Sequence, residues 1–189
     1  ARLLDSGKRE EFLVARGLLR EILAGLAGEE PGSLQFVEGE FGKPYLVPRQ
    51  GDDGLRFNAS HAGGQLLVAV CYGSEIGVDL EEVHQDLAFR PMAERYFSAR
   101  ERFELFELEP RQQLEAFYRC WTRKEAYMKA TGSGFSQPSP GFDVSLRPGE
   151  SAALMGHASD LTEVSRWRIV DLSVPAGYCA AVAVQRQGE

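Results

Sequence analysis

Long apolar runs are missing from this sequence, and so is any excess of positive charge. The longest apolar stretch, residues 66–72, falls far short of the roughly 20 residues a membrane helix requires, which predicts a protein outside the membrane. Lys and Arg number 21 against 28 Asp and Glu, a formal net charge of −7. A surface that tracks nucleic acid is usually basic over a whole face, so no nucleic-acid partner is expected. A small anion in a local basic pocket stays compatible with that balance. Cysteines are few: Cys71, Cys120 and Cys179 lie far apart among apolar or aromatic neighbours, the pattern of reduced core thiols in a cytoplasmic protein. Several familiar motifs are absent too, with no Walker loop, G-x-G-x-x-G, H-E-x-x-H or G-x-S-x-G. No signal peptide opens the chain, and a first residue of Ala1 gives the expectation that the native N-terminus lies further upstream.

What is present suffices for a core. Apolar residues make up 43% of 189, enough for one compact domain or two small subdomains and too many for a disordered chain. Asn58-Ala59-Ser60 matches a glycosylation sequon, which only secreted chains use. Residues 9–26 predict an amphipathic helix, with Phe12, Ala15, Leu19, Ile22, Leu23 and Leu26 at helical spacing. Arg9, Arg16 and Arg20 fall along one flank of it, either as a solvated edge or as a basic strip.

Short segments follow, punctuated by Gly42-Lys43-Pro44, Pro48 and a turn at 51–54. Residues 66–72 read as a buried strand. In residues 75–81, Ile76, Val78 and Leu80 alternate with Gly77, Asp79 and Glu81, so a period of two puts both carboxylates on the face opposite the apolar one. A linker interrupted by Pro91 leads to a capping box at Ser98-Ala99-Arg100-Glu101 and a short helix reaching Pro110. A longer helix is predicted over 112–130, then two strands at 167–174 and 178–184. The expected fold class is α+β.

The chemistry concentrates in acids. Leu114, Phe117, Tyr118, Trp121 and Met128 mark the buried stripe of the long helix, and Glu125 sits about 40° from its centre at 100° per residue. An ionised carboxylate aimed inward requires a cation, a metal or a shifted pKa. Lys129, one turn on, offers an ordinary i,i+4 ion pair as the plainer explanation. Asp79 and Glu81, about 7 Å apart along one strand face, repel each other unless a cation or water screens them. Three carboxylates with no Cys or His cluster suit a hard ion, Mg²⁺ or Mn²⁺, and Mg²⁺ in such sites commonly shares phosphate oxygens. Candidates to hold that phosphate are Lys43, Ser60, His61, Lys129 and the Arg9/Arg16 flank.

Five stretches together resemble the 4′-phosphopantetheinyl transferases of the surfactin type. They are Phe41-Gly42-Lys43-Pro44, Phe57-Asn58-Ala59-Ser60-His61-Ala62-Gly63, Ile76-Gly77-Val78-Asp79-Leu80-Glu81, Arg95-Tyr96-Phe97-Ser98, and Trp121-Thr122-Arg123-Lys124-Glu125-Ala126-Tyr127-Met128-Lys129. The resemblance implies a monomer built as a pseudo-dimer of two similar α/β subdomains, 1–87 and 88–189, each a small, mainly antiparallel sheet packed with helices. Coenzyme A would lie in the cleft between them.

By that resemblance Asp79, Glu81 and Glu125 are the Mg²⁺ ligands and Lys129 a pyrophosphate contact. Residues 42–46, with Gly42, Lys43, Pro44 and Tyr45, border the adenine, while Ser60, His61 and Gly63 contact phosphate. Arg16 matches a contact to the 3′-phosphate, shared with Arg9 or Lys8, and Arg2 is the remnant of a basic upstream region. The implied reaction moves 4′-phosphopantetheine from coenzyme A to a serine of an apo acyl or peptidyl carrier protein. Glu125 and Lys129 are its catalytic pair, and the carrier docks on the second half near Ser98, Arg111, Arg119 and Arg123. The alternatives are a non-catalytic coenzyme A or nucleotide-binding module and a metal-dependent phosphohydrolase.

Overall fold

The structure, a computed structural model, describes residues 6–47, 54–134 and 139–187, and the side chains of 6–9 and 11 lie outside that description. Arg2, Pro48 and the 51–53 part of the expected turn fall outside it as well. Helix α1 (Ser6–Ala27) begins a turn before the apolar periodicity does. Two antiparallel hairpins follow, β1 (Phe36–Glu38) with β2 (Pro44–Leu46) and β3 (Leu55–Ala62) with β4 (Gln65–Tyr72). Leu23, Ala24, Leu34, Leu46, Leu55 and Phe57 close a first, small core under α1.

The β3–β4 turn contains only Gly63 and Gly64, both at positive φ, 52° and 74°. That is the pair of left-handed residues a two-residue hairpin turn demands. A side chain at Gly63 would also collide with Tyr178, whose hydroxyl would stand 2.4 Å from the added Cβ. Tyr178 in fact donates to the Gly63 carbonyl at 2.7 Å, pinning the hairpin tip to the far end of the chain.

Strand β5 (Ile76–Glu82) forms one edge of a three-stranded sheet. It pairs antiparallel with β9 (Tyr178–Gln185), which pairs in turn with β8 (Trp167–Asp171). Between β5 and β8 come α2 (Phe89–Tyr96), α3 (Ala99–Glu107), α4 (Pro110–Thr131), the short hairpin β6 (Phe142–Val144) and β7 (Leu154–His157), and α5 (Glu163–Arg166). A second, larger core joins α2, α3 and α4 to these strands through residues such as Phe97, Phe117, Tyr127, Phe142 and Trp167. The architecture is α+β, with small antiparallel sheets and helices. Strand β5, counted with the first half on sequence, hydrogen-bonds into the sheet of the second.

Two local expectations need correction, and the structure decides between the two surroundings left open for Asp79 and Glu81. The segment around Pro91 is helix α2, not a linker, because Pro91 is its third residue and a first-turn amide has no intrahelical partner to lose. Strand β4 is only half-buried along its apolar run, since among the described residues it pairs with β3 alone. In β5 the face carrying Gly77, Asp79 and Glu81 is covered rather than open, because α4 lies across it. The contact is close: a Cβ at Gly77 would stand 2.2 Å from the Ala130 nitrogen and 2.3 Å from the Ala126 carbonyl oxygen. Gly77→Ala is therefore expected to cost about 1–3 kcal/mol or more as overpacking against rigid backbone. Urea unfolding measures it, and an unchanged midpoint would contradict this packing.

Candidate functional site

The approach of α4 to β5 decides what else meets there. Gly77 leaves no side chain between them, so the next residues on that strand face, Asp79 and Glu81, are brought against the α4 face that carries Trp121, Glu125 and Lys129. Ser60 and His61, near the end of β3, complete the lining of a cleft of about 440 Å³. Six of the residues expected from sequence to act on phosphate or metal, Ser60, His61, Asp79, Glu81, Glu125 and Lys129, are thus joined in one place.

Asp79 is the pivot, 3% exposed. Its Oδ1 accepts from the Lys129 ammonium at 2.6 Å and from the Ser60 hydroxyl at 3.1 Å, and Lys129 also donates to Ser60 at 3.0 Å. The lysine thereby bonds Asp79 rather than closing the simple i,i+4 pair with Glu125. The other oxygen, Oδ2, is buried without a hydrogen-bond partner among the described residues. A buried carboxylate oxygen in that condition is costly unless a cation meets it.

The two neighbouring acids carry the same message. Burial, then the charge of Asp79, pushes Glu125 up to about 7, against the opposing pull of Lys129. Glu81 is raised by burial and by Asp79, while the Trp121 indole N–H, 3.1 Å from its Oε1, draws it down. Two acids whose proton affinity is raised by burial and by the charge of Asp79, beside an unpartnered oxygen of that same Asp79, fit a hard divalent ion with oxygen ligands. Among the described residues, no three Asp, Glu, His or Cys side chains stand as a finished metal cage, and the Lys129 ammonium rests on the acid nearest the centre.

Elsewhere the structure redistributes roles. Lys43 was expected to reach phosphate, but its ammonium is buried and spends its three donors on Glu75 at 2.6 Å, the Ile76 carbonyl at 3.1 Å and the Ala130 carbonyl at 2.8 Å. That reading of Lys43 is corrected: it braces β2 against β5 and the end of α4, and burial pulls its pKa down. Gly42, at φ 82°, turns the chain just before it, Pro44 is exposed and Tyr45 is half-buried. His61 is exposed at the cleft rim and Gly63 lies in the hairpin turn.

On α1, Arg20 donates to the carbonyls of Pro31 and Leu34 and is structural, whereas Arg16 is exposed beside the Phe12 ring. The side chains of Lys8 and Arg9 lie outside the described residues. Arg123 is corrected as a docking residue: it is 0% exposed, paired with Asp171 at 2.8 and 2.5 Å and bonded to the Ser145 carbonyl at 2.6 Å. Arg119 is bound to the Leu146 carbonyl and Glu115, which leaves Arg111 as the exposed member of that trio. Trp121 as the holder of Glu81 was missed from sequence, where it counted only as core.

Comparison with known proteins gives the family. A family model described as the 4′-phosphopantetheinyl transferase superfamily matches residues 75–183, from the start of β5 through most of β9. The chain is 40% identical over 177 residues, 93% of its length, to the 4′-phosphopantetheinyl transferase HetI of Nostoc. It is 35% identical over 161 residues, 85% of its length, to a putative 4′-phosphopantetheinyl transferase of Synechocystis. With the 4′-phosphopantetheinyl transferase Sfp of Bacillus subtilis it shares 31% over 130 residues, 68% of its length. The chain spans 71%, 63% and 55% of these three relatives' own lengths. Among solved structures, the Thermotoga maritima holo-[acyl-carrier-protein] synthase aligns with TM-score 0.47 and 20% identity, covering 60% of this chain and 64% of that one. On the family match and the Nostoc relative, the chain belongs to the 4′-phosphopantetheinyl transferase superfamily, whose members transfer the phosphopantetheine group to carrier proteins.

Proposed function

We propose that this chain transfers 4′-phosphopantetheine from coenzyme A to a serine hydroxyl of an apo acyl or peptidyl carrier protein, releasing adenosine 3′,5′-bisphosphate. The observation that carries the reading is the buried, half-satisfied Asp79 held between Lys129 and Ser60 in a cleft it shares with Glu81 and Glu125. The surfactin-type organisation, two subdomains divided near residue 87 in one monomer, is supported by the two separate apolar cores. A cytoplasmic location accords with three free thiols.

Asp79, Glu81 and Glu125 would hold Mg²⁺, with Mn²⁺ as a substitute. Bound there, the ion supplies positive charge against the pyrophosphate. The chain's own groups do the rest. Glu125, whose proton affinity burial and Asp79 raise in the metal-free cleft, takes the serine proton as the phosphorus–oxygen bond forms. Lys129 sets a positive charge where the leaving phosphate becomes more negative. Ser60, His61 and Gly63 border the phosphates, and Arg16, exposed on α1, reaches the 3′-phosphate. Residues 42–46 flank the adenine through backbone, Pro44 and Tyr45, with Lys43 as a brace beneath them. The carrier docks on the second half, and exposed Arg111 is the arginine free to steer an acidic partner.

The test is intact-mass detection of the phosphopantetheine adduct on an apo carrier incubated with the protein, Mg²⁺ and coenzyme A. Asp79→Ala is expected to reduce adduct formation by at least about 10²–10³-fold, the scale on which single electrostatic groups contribute to such transition states. An adduct formed at the unaltered rate contradicts the assignment. Coenzyme A consumed with no adduct would instead mark a phosphohydrolase.

A further inference from the structure

Asn58 drew notice as part of a glycosylation sequon, but the folded chain leaves it only 8% exposed. Its position is unusual. The β3–β4 hairpin and the β5–β9–β8 sheet are separate ladders, so β5 is an edge strand whose free edge faces β3. Val78 in that edge is 0% exposed, and a buried edge amide needs an acceptor. The acceptor is the Asn58 side chain, with Oδ1 2.9 Å from the Val78 nitrogen. Two residues along the same face of β3, the Ser60 hydroxyl donates to Asp79 Oδ1 at 3.1 Å. Strand β3 therefore grips β5 at consecutive residues, once on the backbone of Val78 and once on the carboxylate of Asp79.

We infer that Asn58 is a positioning residue for Asp79, setting the gap between β3 and β5 by the reach of its side chain and so aiming the unpartnered Oδ2 into the cleft. The inference rests on reading Asp79 as a cation-binding carboxylate. With no backbone ladder between the strands, the amide clamp fixes the backbone just before Asp79. Ser60 alone would leave that carboxylate tied to a strand free to slide. Groups that orient a metal-binding carboxylate from behind are worth about 10–100-fold in metal affinity.

The probe is Mn²⁺ alone, titrated by electron paramagnetic resonance into the full-length protein, alongside hydrogen exchange at the Val78 amide. Asn58→Leu, similar in size but without an acceptor, is expected to weaken Mn²⁺ binding about 10–100-fold and to speed Val78 exchange. Asn58→Ser, too short to reach, should do the same and serves where the leucine variant does not fold. Asn58→Asp keeps an oxygen acceptor and should restore Val78 protection together with Mn²⁺ binding, and the protection distinguishes a restored bond from the mere addition of charge. The inference is overturned by a folded Leu or Ser variant that binds Mn²⁺ like wild type, or by a wild type that binds none. A wild type that binds Mn²⁺ yet modifies no carrier contradicts the functional reading, while the comparison of Mn²⁺ affinities still decides the clamp.

Discussion

Glu125→Gln is expected to slow carrier modification by about 10²–10⁴-fold at neutral pH, the usual contribution of a positioned general base. The substitution keeps size, and removes both the ability to accept the serine proton and one of the three negative charges offered to the cation, so turnover is compared at saturating Mg²⁺. Its effect should be pH-dependent in a defined direction. The Glu125 carboxyl is pushed up to about 7 by burial first and by Asp79 second, so its basic form grows as pH rises through that value. A bound Mg²⁺ favours the carboxylate and draws that value down, so with the ion present wild-type turnover should reach its plateau below about 7, and the glutamine variant should lose that limb of the profile.

The same proton predicts a stability effect of opposite slope. A carboxyl whose affinity is higher in the folded than in the unfolded chain contributes stability that is complete below the ordinary carboxylate range and lost as pH rises through the folded value. Without divalent cations, the thermal midpoint should therefore fall between that range and about 7, more steeply in wild type than in Glu125→Gln. Calorimetry across that interval tests it. A glutamine variant retaining more than about a tenth of the turnover would remove Glu125 from the base role.

How much of this site could be read from the sequence depends on the range of the interactions. The alternation of Ile76, Val78 and Leu80 with Asp79 and Glu81 is local, and so is the helical position of Glu125, which is why the three acids stood out before any fold was known. Their convergence needed Gly77, whose meaning lies in α4 backbone more than forty residues later and leaves no trace in local periodicity. Lys43 and Arg123 were misread for the same reason. Nothing near Lys43 in the chain announces carbonyl acceptors at Ile76 and Ala130. Nothing near Arg123 reveals Asp171. A charged residue looks like a ligand contact until its distant partners are known. Helix α2 failed on a local rule applied too strictly, since Pro91 breaks a helix interior but not its first turn.

The residue just before Glu125 carries the larger consequence for stability. Lys124 and Glu101 have side chains only 2% and 1% exposed. The ammonium donates to both Glu101 oxygens at 2.9 Å and to the Phe142 carbonyl at 2.6 Å. Glu101 also accepts from the Ser98 and Val144 amides, each at 2.8 Å, so one carboxylate caps α3 and holds β6 to α4. Burial raises the Glu101 carboxyl, while Lys124 and those amides draw it down. Lys124→Met keeps the length and deletes the charge, stranding a buried carboxylate whose amide donors cannot replace a cation. The expected loss is about 3–5 kcal/mol, or roughly 6–20 °C in thermal midpoint for a chain of this size. Adding Glu101→Gln removes the stranded charge and should recover a large part of that loss, because buried pairs cost nearly as much to desolvate as they return. A single variant melting within about 2 °C of wild type would show that the pair is dispensable. The expected order, with the double variant above the single, ties the placement of α4, and with it Glu125, to a charge pair about 100° round the helix from the cleft face.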